Sequence, residues 1–543
     1  MVRAVNHQPF SRRLVWELLA AEVILGLASV AISRLIALLD SLLGDRFTNY
    51  ISIKLMTHAT SLDLSSFEDP DLSDKLERAR RQASARLTML TSLASMFRQA
   101  LTLISMISVV VLFSPWLLLI LIIGTIPLFL SETKLAVLNY SIMFRQTPQR
   151  RELDYVRYLG TSSYSAKEVK VYGLGEYLTK RLTALFETFY VENKRLAVRR
   201  AAEGGLIGMV STASYYIAYA YILKSALAGS LSVGDLILLG GAFSRAGDLT
   251  ESLVNSAVDV SEQALYIKDL FTYLETVPAI VSGPNAIRFP RPLRKGFEFE
   301  EVSFVYPNSD NRVLNSVSFQ ITPGERLALV GENGAGKTTI VKLMARLYDP
   351  TEGRILLDGV DLREYSIDDL RSRIGVIFQD YLRFDMLVSE NIGFGRIEEL
   401  HNHAAIESAA KRSVAADIIA RLPRGYDQML GKRFEGGVDL SGGQWQKIAL
   451  ARAYMRDAEI LILDEPTANL DARSEFEIYQ RFVNLSNSKI AVLISHRFST
   501  VRIADRILVL QHGHIVESGS HRELLALRAR YAEMFELQAS GYR

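Results

Sequence analysis

Gly331-Glu-Asn-Gly-Ala-Gly-Lys-Thr338 fits the pattern G-x-x-x-x-G-K-[ST], in which glycines let backbone N–H groups wrap nucleotide phosphates. Residues 326–330 read as a short apolar strand running into this loop, and residues 338–347 as the helix that leaves it. Strand, glycine loop and helix in that order are the context the pattern requires. Lys337 then supplies a point charge to the outer phosphates, and the Thr338 hydroxyl is placed to sit on Mg²⁺.

Further along, Glu459-Ile-Leu-Ile-Leu-Asp464-Glu465 reads as an apolar strand ending in two carboxylates. Buried strands of parallel sheets have this character, and ligands gather at their carboxyl ends. Asp464 is placed to hold Mg²⁺, directly or through water, and Glu465 to polarise an attacking water. Adjacent acids are structurally trivial in most sequences; at the end of such a strand, downstream of such a loop, the functional reading is preferred. Residues 490–494 form another apolar strand that leads into Ser495-His496, where His496 can reach a γ-phosphate. Gly375-Val-Ile-Phe378 leads in the same way into Gln379, a candidate sensor of Mg²⁺ and the water. Leu440-Ser-Gly-Gly-Gln444 places a serine and two glycines ahead of the helical run 445–454, and a helix N-terminus with free N–H groups binds anions.

The 543 residues exceed a single hydrophobic core, so two or more domains are expected. A net charge of +2 gives no global field that argues for nucleic acid or an acidic partner. The absence of cysteine excludes disulfides, thiol catalysis and Cys-ligated zinc. No compact cluster of histidines and carboxylates stands at metal-ligand spacing. Apolar residues make up 49% of the chain, and they divide unevenly: the first part carries long apolar runs, and the remainder reads as a soluble α/β domain. Residues 278–294, with four prolines, read as a linker between the two.

A bilayer-spanning helix needs about 20 mainly apolar residues. Residues 18–39 qualify, although Glu22 and Arg34 interrupt them, and 101–112, 116–130, 206–227 and 236–254 follow, making about five spans. Ser114-Pro115 reads as a tight turn between two antiparallel spans. Lys and Arg concentrate in residues 75–86, 145–151 and 194–200, which places these long stretches in the cytoplasm. Their helical periodicity carries the spans well beyond the bilayer; some 20 extra residues reach about 30 Å. Residues 66–74 and 168–177 read as the tips of such arms, with ordinary solvated helix–loop–helix as the alternative. Arg3, Arg12 and Arg13 resemble the start of a signal peptide, but Glu17 and Glu22 spoil its apolar core, so a retained span is expected. Arg245, Asp248 and Glu251 recur on one helical face; the preferred reading is that this end of the helix has left the membrane, rather than that it faces a partner or wet cavity. Arg34 and Arg98 are read in the same way.

On these motifs, residues 297–543 resemble the nucleotide-binding domain of ATP-binding cassette (ABC) transporters, and a membrane domain followed by a motor in one chain resembles the ABC exporter half-transporters. The resemblance implies a role for each matching residue. Tyr306 matches the aromatic that stacks on adenine. Gly331, Asn333, Gly334, Ala335, Gly336, Lys337, Thr338 and Thr339 match the Walker A loop, and Ser441, Gly442, Gly443 and Gln444 the signature that clamps ATP held by the other subunit. Glu465 matches the catalytic glutamate, assisted by the switch His496 and the Q-loop Gln379. Thr338, Gln379 and Asp464 match the Mg²⁺ ligands. Asp471 matches the D-loop aspartate, with Asn469 in place of the usual alanine. Glu435 matches an acidic residue that meets the membrane arms, although Phe434 departs from the usual glycine. Phe67-Glu-Asp-Pro70 and residues 168–177 resemble the two intracellular coupling loops.

The implied architecture is an α-helical transmembrane domain over residues 1–277, a linker over 278–296, and an α/β P-loop NTPase domain with a helical subdomain over 297–543. The implied function is ATP-driven export of a hydrophobic or amphipathic substrate such as a lipid, drug or peptide. ATP with Mg²⁺ draws two motor domains together, and hydrolysis releases them. A non-transporting regulatory ATPase subunit is the alternative, and the apolar spans disfavour a soluble ABC ATPase. The expected partners are a second half-transporter (a homodimer by default, a heterodimer remaining open), membrane lipids and the transported substrate, without nucleic acid. The expected location is the inner (cytoplasmic) membrane, multi-pass, with the motor in the cytoplasm. The family has six membrane helices per half, two of them before the first coupling loop. Only one apolar stretch precedes Phe67 here, so a shortened chain is expected, with a five-helix variant as the alternative.

Overall fold

The computed structural model describes residues 12–81, 86–228, 231–465, 472–486, 488–495 and 497–540. Its contacts divide the chain into two units: one runs to Leu62 and resumes over Pro70–Val277, and the other joins Asp63–Asp69 to Pro278 and beyond.

The first unit is helical. Its elements are α1 (Arg12–Ser61), α3 (Pro70–Arg81), α4 (Arg86–Phe113), α5 (Pro115–Arg145), α6 (Thr147–Thr161), α7 (Ala166–Val171), α8 (Gly175–Leu227) and α9 (Val233–Leu274); α2 (Leu64–Glu68) belongs to the second unit. The apolar runs of the sequence all lie on long helices, and α1 continues unbroken through Glu22 and Arg34. Ser114 is extended and Pro115 occupies the first turn of α5, so the proline ends α4 and starts α5 at little cost. Ser232 and Asp235 form a reciprocal capping box at the start of α9. Val110, Leu117, Leu121, Ala218, Ile222, Ala242 and Ala246 bring α4, α5, α8 and α9 into one core. Its alanines let these helices approach closely, as membrane helices do. Outside this core α1 presents bare apolar surface, with Trp16 69% and Leu25 70% exposed, which lipid tolerates and water does not. By length and composition Val15–Ser61, Ser92–Phe113 and Gly175–Leu227 suffice to cross a membrane, and Pro115–Gly124 is a shorter apolar helix. Residues 168–177 form a sharp tip, where Gly173 takes φ +63° and Tyr172 is exposed.

The second unit is a two-sheet α/β domain with a helical subdomain. An antiparallel sheet has the order β2 (Arg312–Ile321), β1 (Phe297–Val305), β4 (Glu352–Leu357), β5 (Val360–Asp361). The larger sheet has the order β10 (His514–Gly519), β9 (Arg506–Gln511), β3 (Arg326–Gly331), β8 (Ile490–Ile494), β7 (Ile460–Asp464), β6 (Ile374–Ile377). Strands β9, β3, β8, β7 and β6 are parallel, and β10 returns antiparallel to β9. Every residue of β7 and β8 is buried, which is why both read as unbroken apolar runs rather than as alternation. The register pairs Asp464 with Ile494 and Leu463 with Ile377, so Glu465, Ser495 and Gln379 emerge at one carboxyl edge. Helices α11 (Val388–Gly393), α12 (His403–Arg412) and α13 (Gly442–Met455) pack around their own core of Val388, Ile392, Ile406, Trp445 and Ile448. The short α2 lies within this unit: Leu64 packs on the main core, and the Asp63 carboxylate accepts from the N–H groups of Ala279 at 2.5 Å and Ile280 at 3.2 Å.

Candidate functional site

The loop after β3 turns through conformations that a side chain would block. Gly336 takes φ +102°, and a Cβ there would lie 2.5 Å from Leu314 Cδ2. From this glycine helix α10 (Lys337–Met344) starts against the buried strand β3. Lys337 is 6% exposed and donates to the carbonyls of Gly331 and Glu332, each at 2.8 Å, so its ammonium is held inside the loop. Burial lowers its pKa, and the charges of Glu465 and Asp464 oppose that shift.

Thr338 Oγ1 donates to Asp464 Oδ2 at 2.9 Å, which joins the loop directly to the end of β7. Asp464 is 1% exposed, and burial pushes its carboxyl up to about 6; the Thr338 bond opposes this shift and the charge of Glu465 adds to it. An anionic carboxylate so buried calls for positive charge beside it. A buried carboxylate and a hydroxyl, both oxygen donors next to a phosphate-wrapping loop, fit Mg²⁺, which takes one or two carboxylates together with substrate phosphates.

Glu465 stands in the left-handed region at φ +49°, and its N–H donates to Ile494 O at 3.0 Å. That turn swings its carboxylate away from the line of β7, where Oε2 accepts from Gln379 Nε2 at 2.9 Å. Such backbone strain in a residue other than glycine persists only when the surrounding structure imposes it, and it clusters at functional sites. Tyr306 follows β1; its hydroxyl bonds Thr339 Oγ1 at 3.0 Å and its ring meets Tyr348 edge-on at 5.4 Å. Asp471 and His496 lie outside the described residues.

At the signature, the Ser441 hydroxyl accepts from Gln444 N at 3.3 Å and the Gln444 side chain accepts from Ser441 N at 2.9 Å. This capping box leaves the first N–H groups of α13 uncommitted at its N-terminus. Sequence reasoning missed three groups around this framework. Lys342, on the loop's own helix, places its ammonium 5.1 Å over the Tyr306 ring. Tyr348 bonds Glu68 of α2. Arg452, on α13, bonds the Asn391 and Leu382 carbonyls at 2.9 and 3.1 Å and stacks on Phe384 at 4.6 Å. Only Lys342 carried a sequence signal, through its place on the helix that leaves the phosphate loop.

The family model described as "ABC transporter" matches residues 314–468, and that described as "ABC transporter transmembrane region" matches residues 17–244. Subtilin transport ATP-binding protein SpaT of Bacillus subtilis is 32% identical over 495 residues, 90% of this chain and 79% of that protein. The chain belongs to the ABC exporters. This exporter is also 33% identical over 465 residues to an ATP-dependent lipid A-core flippase of Aromatoleum aromaticum, covering 83% of the chain and 74% of the flippase. Its fold matches the structure of a bacterial Atm1-family ABC exporter with ATP bound, at a TM-score of 0.81 and 27% identity, covering 99% of this chain and 93% of the other. It is a multi-pass membrane protein that binds and hydrolyses ATP to drive transport, and half-transporters of this family dimerise.

Proposed function

We propose that two copies of this chain form a homodimeric exporter in the cytoplasmic membrane, moving a hydrophobic or amphipathic substrate out of the cytoplasm. Each ATP lies between the phosphate loop of one copy and the signature of the other. Tyr306 stacks on adenine, and residues 331–339 wrap the phosphates with Lys337 on the outer ones. Thr338 and Asp464 would hold Mg²⁺, with Gln379 completing the set, and the ion would neutralise phosphate charge. Glu465 orients and polarises the attacking water, with Gln379 fixing its carboxylate and His496 on the γ-phosphate. Ser441, Gly442, Gly443 and Gln444 present the N-terminus of α13 to the ATP of the partner copy, and Asp471 stands at the seam.

The observation that carries this reading is the pair of contacts at one sheet edge, Thr338 to Asp464 and Gln379 to Glu465, each at 2.9 Å. The first ties the phosphate loop to a carboxylate suited to Mg²⁺; the second aims a separate carboxylate elsewhere, so the two acids are set up for different tasks. Inverted membrane vesicles bearing the chain test it. ATP-dependent accumulation of an amphipathic probe is expected with the unaltered chain and is expected to vanish with Glu465→Gln. Equal accumulation with both chains would refute the assignment of Glu465.

A further inference from the structure

Helices α5, α8 and α9 line an open cavity of about 310 Å³. Tyr215, Tyr216 and Phe243 line it, its charged lining groups are the exposed Asp248 and Glu251, and no lysine or arginine joins them among the described residues. Ser214 also lines it; this residue is 8% exposed, and its hydroxyl makes no hydrogen bond to a described residue. Arg245 lies one turn before Asp248 but not in the lining, and no ion pair joins it to either carboxylate among the described residues. Among the described residues the cavity therefore holds two carboxylates without a cation, a serine hydroxyl without a hydrogen-bond partner, and three aromatic rings.

Its depth matters. From Val233, where α9 begins, Asp248 lies about 22 Å and Glu251 about 27 Å along the helix at 1.5 Å per residue. Both distances are shorter than the roughly 30 Å of hydrocarbon in a bilayer. With the short turn before α9 at one membrane surface, a helix running straight into a bilayer from there would hold both carboxylates inside it, which is the alternative to the reading that this end of the helix has left the membrane. Acidic groups at such depth mark the paths of ions and substrates.

We propose that this cavity binds an amphipathic organic cation, making organic cations the substrate class of the exporter. The proposal rests on the reading of the chain as an ATP-driven exporter. Asp248 and Glu251 supply the counter-charge, the rings hold the cation by their negative faces, and the Ser214 hydroxyl accepts from any N–H the ligand carries. The volume is at the lower end of small-molecule sites and large for a bare metal ion, and aromatic walls are poor ligands for one. An anionic headgroup would face two like charges.

Two probes of matched size and shape but opposite charge, tetraphenylphosphonium and tetraphenylborate, test the proposal on the full chain in phosphatidylcholine nanodiscs. Equilibrium dialysis, read as the excess over empty nanodiscs, is expected to show saturable binding of the phosphonium and none of the borate, and the phosphonium is expected to raise the ATPase rate above its basal value. In Asp248→Asn/Glu251→Gln the half-saturating phosphonium concentration is expected to rise at least tenfold, whereas Asp248→Glu/Glu251→Asp, which keeps both charges, stays within threefold. Equal binding of the borate, or an unchanged phosphonium response in the neutral double variant, would overturn the proposal. Basal hydrolysis with no phosphonium binding would overturn it as well. Absence of any ATP hydrolysis would instead count against the exporter reading itself.

Discussion

The Tyr348 hydroxyl donates to Glu68 Oε2 at 2.6 Å, joining residues 280 positions apart in the chain. Tyr348 is 4% exposed, and burial together with this bond raises its pKa, so the donor keeps its proton across the physiological range. Lys342 Nζ lies 3.9 Å from Glu68 Oε1 and over the rings of both Tyr306 and Tyr348. The short helix α2 is thus tied to the aromatic proposed to carry adenine. Tyr348→Phe removes the donor and leaves a half-exposed carboxylate that water can solvate, so the expected cost is about 1 kcal/mol. Hydrogen exchange should then speed up about fivefold at residues 64–68 and stay unchanged in β7.

Lys342→Met removes the cation from behind the Tyr306 ring. Exposed cation–π contacts contribute about 0.5–1 kcal/mol, so the KM for ATP should rise two- to fivefold with little change in kcat. Lys342→Arg should restore it.

Asp464 gives the ATP-free protein a pH signature. Its folded-state pKa, about 6, stands above its ordinary value of 3.8, so the folded protein holds this proton more tightly than the unfolded chain. The resulting stabilisation is fully present below about pH 4 and is lost as pH rises through 6. A shift of this size corresponds to about 3 kcal/mol. Asp464→Asn, which cannot ionise, should therefore melt at a higher temperature than the unaltered chain at pH 7.5 and at nearly the same temperature at pH 4. Saturating Mg²⁺ and ATP should narrow the gap at pH 7.5, because bound cation compensates the carboxylate.

Much of this site was legible because each group closes a strand or opens a helix. Gly331–Thr338, Asp464, Glu465 and Gln379 all follow apolar runs whose burial in a parallel sheet dictates where they emerge. Ser114-Pro115 was legible for a similar reason, since proline cannot continue a helix but readily begins one. What stayed hidden depends on contacts between distant segments. The bond from Tyr348 to Glu68 leaves no local pattern, and neither does the left-handed φ of Glu465, which a non-glycine residue adopts only under tertiary constraint. The place of Asp248 and Glu251 in an aromatic cavity was equally invisible, because periodicity puts them on one face without saying what that face meets.

Arg452 is expected to hold the segment after Gln379 against the signature helix. Burial lowers its guanidinium pKa to about 10, and its partners include the fully buried Asn391. Arg452→Ala strands these acceptors and should cost about 2–4 kcal/mol, seen as a lower melting temperature of the whole protein. Arg452→Lys should recover less than half of that, because an ammonium cannot reproduce the planar fork.

Glu465, held by Gln379, is the group proposed to activate water on an ATP shared by two copies. Nucleotide trapping by purified Glu465→Gln protein tests it most directly. The expected result is hydrolysis slowed at least a hundredfold, with two unhydrolysed ATP molecules retained per dimer after rapid gel filtration. Hydrolysis at the unaltered rate, or ATP that washes out as fast as from the unaltered chain, would contradict it.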